Sequence, residues 1–135
     1  MKRAGGAVLV LVLFFGVGAP VRAHHSFAAA YDSTKTVTVQ GAIVQVRLTN
    51  PHSWFFLDVK EPDGKVTRWA FEAGTPSGMI RNGYKASELM PGAIVTIRGA
   101  PARDLTQNMG MLQQLTTADG KTYGMFGPQE GPGAR

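Results

Sequence analysis

No cysteine occurs in the 135 residues. That excludes a disulfide framework, thiol chemistry and a thiolate metal site, so stability must come from a packed core. Histidine is scarce: the chain has three, at His24, His25 and His52. Any metal site is therefore restricted to those imidazoles, carboxylates, thioethers, the backbone and a free amino terminus. Also missing are a nucleophile elbow, a zinc-protease helix and a phosphate loop, so the sequence does not commit the chain to turnover. Ser26 stands beside His25, but triad geometry needs contacts across a fold.

What is present begins with a basic Met1-Lys2-Arg3 and an apolar run, Ala7 to Ala19. The run has signal-peptide length and is short for a membrane span. Val21-Arg22-Ala23 then offers small residues at −3 and −1. Cleavage after Ala19 would leave Pro20 first, a poor substrate, so the cut is expected after Ala23. Residues 1–23 thus read as a signal peptide, and the mature protein as periplasmic or secreted, without a stable membrane span. Its first residue would be His24. Loss of Lys2, Arg3 and Arg22 takes the formal charge from +5 to +2. The precursor's basicity is partly a targeting feature, and nucleic acid is not an expected partner.

Alternation and β-branched residues mark a strand over Lys35–Leu48, with Gly41 suggesting a bulge or a coiled bend. Ser53–Lys60 is a second strand and Lys65 onward a third, joined by a Pro62/Gly64 hairpin turn. Trp69 and Phe71 are expected in the core. Residues 75–92 carry Pro76, Gly78 and Gly83, which break any long helix into short turns. Ala93–Pro101 is a fourth strand, Met111–Thr117 a fifth, and Lys121 onward a partner across Ala118-Asp119-Gly120. This order predicts an all-β domain over 24–126. Its expected form is a small OB-like barrel of five or six strands, with a short helical connection between strands 3 and 4. A β-sandwich is the alternative. The tail, 127–135, reads as disordered.

His24 as residue one would offer an α-amine and a ring Nδ1 to a single metal ion. Both lose protons easily near neutral pH, with reference values of about 7.7–8.0 and 6.5. His52 would complete the set, the arrangement known as a histidine brace. His25 gives alternatives. The adjacent rings could hold a two-coordinate Cu(I), or an Ala23 start would place His25 third, the amino-terminal Cu(II)/Ni(II) motif. Nitrogen donors favour copper, with zinc or nickel behind it. Against this stands a plain structural role for solvated or backbone-capping histidines.

A second feature is a face. If Phe55 and Leu57 point inward, Trp54, Phe56 and Asp58 point outward, and Arg68 and Glu72 join them from the third strand. In OB folds that outer face receives ligands. The segment Ser26–Tyr31 is expected to cover Trp54 and Phe56, bringing His24 and His25 towards His52. Met79, Met90, Met109, Met111 and Met125 read mainly as core filler; only Met109 and Met111 have tight spacing. Asp58 and Glu72 could pair as acids, or Arg68 could hold one of them.

The strings AHHSFAAAYD, VTVQGAIVQVRLTNPHSW, WAFEAGTPSGMIRNG and PGAIVTIRGAP together resemble a family of small exported bacterial proteins of unknown function. The resemblance implies export and one β-rich domain, and points to His24, His25, Asn50, Pro51, His52, Trp69 and Glu72. The expected function is binding of a small ligand, foremost a metal ion, with Glu72 accepting a ring N–H. The rival is a structural or interaction module docking an envelope protein.

Overall fold

Alternation dictates the first three strands of the computed structural model, which describes residues 27–124. They are β1 (Val37–Arg47), β2 (Trp54–Lys60) and β3 (Val66–Glu72), and they form a continuous antiparallel meander. Phe55, Leu57 and Phe71 face inward and are fully buried. Trp69 is only half-buried; it stacks on Phe71 with ring centroids 5.7 Å apart and packs on the edge of the core.

Thr75 starts the connection after β3. Its side chain accepts from the Gly78 N–H at 3.1 Å, and Pro76 follows at the first helical position, so α2 (Pro76–Arg81) begins where capping rules put it. A 3-10 turn, Ala86–Glu88, follows. Met79, Tyr84 and Leu89 from this connection enter the barrel core beside Val39, Ile43, Val95, Ile97, Leu112 and Leu115. β4 (Ile94–Pro101) then pairs with β1, and β5 (Met109–Thr117) with β4. β6 (Thr122–Gly124) adds to β5 across the expected turn.

The sheet order is β3-β2-β1-β4-β5-β6, and a parallel pairing of Ala70, Phe71 and Glu72 with Met109, Gly110 and Met111 closes it. The result is a closed five-stranded OB-like barrel with one added strand, not a sandwich.

Two local expectations change. β5 starts at Met109, inside the stretch read as a loop, because the pairing with β3 recruits Met109 and Gly110. The register irregularity in β1 lies between Ile43 and Gln45, not at Gly41. Gly41 serves close approach instead: a Cβ there would sit 2.6 Å from the Asp58 carbonyl oxygen. Among the described residues no helix is long and apolar enough to cross a membrane. The expected signal peptide and the expected tail, 127–135, lie outside the described residues.

Candidate functional site

His52 sits two residues before β2, after a cis Asn50–Pro51 bond, with its carbonyl accepting from Thr49 Oγ1 at 3.0 Å. Ser53 exchanges backbone bonds with Gly74 and Ala73, at 3.0 and 2.8 Å, so the start of β2 is fastened to the end of β3. That register sets His52 beside Glu72, whose cross-strand partner is Trp54. His52 Nδ1 contacts Glu72 Oε1. An ionised carboxylate can only accept, so Nδ1 carries the proton and, in the neutral ring, Nε2 carries the lone pair.

The other oxygen, Glu72 Oε2, accepts from the Tyr31 hydroxyl at 2.5 Å. Tyr31 is 2% exposed. Burial first, and then its bond to Glu72, push its hydroxyl far above the usual phenol range, so it stays a donor.

Tyr31 is placed by a strap along β4. It bridges Ala102; Asp32 N–H donates to the Pro101 carbonyl at 2.9 Å, and Arg103 N–H to the Ala30 carbonyl at 2.9 Å. Arg103 Nε also donates to the Ala28 carbonyl at 2.7 Å. One helical turn, α1 (Phe27–Ala30), precedes Tyr31, with Tyr31 N–H bonded to the Phe27 carbonyl. Positions four apart on a helical turn share a face. Phe27 accordingly lies against His52, centroids 5.0 Å apart, and 6.4 Å from the Tyr31 ring. Tyr31, Ala100 and Ala102 are buried, yet stand apart from the main core.

Across the outer face run two rows of partners: Arg47, Trp54, Glu72 and Met111; then Gln45, Phe56, Ala70 and Met109. Trp54 stacks on Phe56 at 6.4 Å, and the Arg47 guanidinium lies 5.0 Å over the Phe56 ring. Both aromatics are half-buried. Arg68, expected on the ligand face or holding an acid, pairs with Asp58, Nε to Oδ1 at 2.5 Å. Asp58 and Glu72 pair with opposite ends of the β2–β3 register, so they are not a carboxylate couple.

His24 and His25 lie outside the described residues, as does Met125. Among the described residues, no group of three or more His, Asp or Glu could hold a metal ion. Met79 is buried in the core and Met90 is exposed. Met109 and Met111 lie half-buried on the outer face.

Sequence reasoning missed Tyr31, Arg103 and Arg47 as members of this region. Each acts through a long-range register, and only the placement of a tyrosine after three alanines hinted at an anchor.

A separate groove of about 610 Å3 lies at the β5–β6 turn, lined by Glu88, Ala93, Ile94, Thr117, Ala118, Asp119 and Lys121. Glu88 Oε2 there accepts from Lys121 Nζ and the Tyr123 hydroxyl, and Lys85 Nζ stands 3.6 Å from Oε1. The Lys121 bond first, then that from Tyr123, hold the Glu88 carboxyl down at about 2. These partners tie the 3-10 turn to β6, a structural role.

Against known proteins, DUF6152, a family of unknown function, matches residues 12–111, and the chain belongs to it. No curated protein matches.

Proposed function

We propose that this DUF6152 member is an exported binding protein for a transition-metal ion, copper ahead of zinc or nickel, without turnover. The observation that supports it most is the oriented His52. A carboxylate on Nδ1 leaves the lone pair on Nε2, the second-sphere arrangement typical of metal-bound histidine. Phe27 rests on the same ring. Covalent chain length alone keeps the His24 Cα within about 11 Å of the Phe27 Cα. In this reading His24 supplies its amine and Nδ1, His52 supplies Nε2, and His25 supports or substitutes. Export and a periplasmic or secreted location rest on the apolar run and the Val21-Arg22-Ala23 site.

The test is placement of one extra residue before His24 in the processed protein. An amine chelate is then lost, and copper affinity should fall at least tenfold with the fold unchanged. Unchanged affinity rules out the brace.

A second reading rests on the stacked Trp54 and Phe56 with Arg47 over Phe56, a face suited to docking an envelope protein. Trp54→Ala would abolish such docking and leave copper binding in place.

A further inference from the structure

We propose that Tyr31 is a positioning residue for His52, acting through Glu72: its hydroxyl fixes the carboxylate that sets the tautomer and orientation of the imidazole.

A glutamate at a strand end has three rotatable bonds. One hydrogen bond leaves the carboxylate free to swing about its partner; two bonds, one on each oxygen, fix its plane. Here Oε1 serves His52 Nδ1 and Oε2 serves Tyr31. Tyr31 is itself immobile, since it is buried, bridged to Ala102 and followed by the Asp32–Pro101 backbone bond. Restraint therefore passes from the end of β4 through Tyr31 and Glu72 to His52. The same helical turn sets Phe27 on the imidazole, so Phe27 and Tyr31 engage the His52–Glu72 pair as one unit. A tyrosine that only filled space could be replaced by phenylalanine without consequence for His52.

The consequence for metal binding rests on the metal reading above; the positioning role does not. The experiment is therefore run without metal first. Imidazole 15N spectra of the full processed protein are recorded near pH 8 for wild type, Tyr31→Phe and Glu72→Gln. Wild type should show one His52 tautomer, protonated at Nδ1. Tyr31→Phe keeps the ring and the backbone bonds, so amide resonances of the barrel should persist while His52 becomes a tautomer mixture. Glu72→Gln, which removes the anionic acceptor, should release the tautomer as well. An unaltered His52 spectrum in Tyr31→Phe overturns the proposal.

Copper titration of the same samples follows. Outer-sphere partners of metal ligands are worth about 10–100-fold in affinity, and a hydroxyl one bond further out should cost about 3–10-fold. If the tautomer shifts but wild-type protein does not bind copper, the positioning role stands and the metal reading fails.

Discussion

Removing Glu72 should leave two donors stranded, and the stranding should show as non-additivity with Tyr31. In Glu72→Ala the Tyr31 hydroxyl loses its acceptor inside a site that is 2% exposed. An unpaired buried hydroxyl costs about 1–3 kcal/mol. His52, with a side chain 32% exposed, can turn its N–H towards water and adds little. Tyr31→Phe removes the donor instead and leaves a carboxylate that keeps His52 and some solvent, so about 1 kcal/mol is expected. In the double variant the buried donor is gone, and only His52, which can reach water, lacks its acceptor. Its cost should therefore fall short of the summed singles by about 1–2 kcal/mol. Urea unfolding of the four proteins at pH 7 measures this, with a constant slope confirming a common unfolded state. A cycle that closes to within about 0.5 kcal/mol would mean that the Tyr31–Glu72 bond does not couple the strap to the rim.

Other consequences follow from the same structure. A Cβ on Gly110 would lie 2.8 Å from Phe71 Cε1 and 2.9 Å from the Ala100 carbonyl oxygen, at the β3–β5 seam. Gly110→Ala should cost about 1–3 kcal/mol. Calorimetry should register a fall in Tm of about 4–8 °C for each kcal/mol. Glu88 has its carboxyl lowered from 4.5 to about 2, so its contribution is present above pH 4.5 and is lost as pH falls towards 2. Glu88→Gln should flatten the stability profile over that window, measured by urea midpoints. Asp32, also lowered to about 2 by its bonds to Thr34 and Lys35, should leave a residual slope. Tyr31 titrates in the opposite sense. Its hydroxyl is raised, so stability is full below pH 10 and declines above it, and Tyr31→Phe should reduce that alkaline loss.

The strands could be read from the chain because their signals are local. Alternation around Phe55 and Leu57, the Pro62/Gly64 hairpin and the breaks at Gly78 and Gly83 each act over a few residues. Closure could not be read in the same way. The parallel pairing of Glu72 with Met111 joins segments far apart in sequence, and it turned Met109 and Gly110 from loop into strand. The β1 irregularity lies between Ile43 and Gln45, while Gly41 admits the close approach of the Asp58 carbonyl.

The site divides along the same line. His52 stood out as a histidine after Asn50-Pro51, and Glu72 as an acid on the outward face. Their contact depends on the β2–β3 register and on the Ser53–Gly74 bond. Tyr31 had only a weak local mark, a tyrosine after three alanines, because its role comes from the end of β4. Arg68 was legible as outward-facing, and its direct cross-strand partner is Asp58, with which it pairs.

The proposed function requires a metal held between the processed amino terminus and His52. The most direct measurement takes protein exported and processed by its host. Its N-terminal mass and its co-purifying metal content are determined on one sample, beside His52→Ala. The account predicts a start at His24, near-stoichiometric copper, and loss of that copper in His52→Ala. A start at His24 with no metal, and only weak uptake of added copper that His52→Ala leaves unchanged, would contradict it.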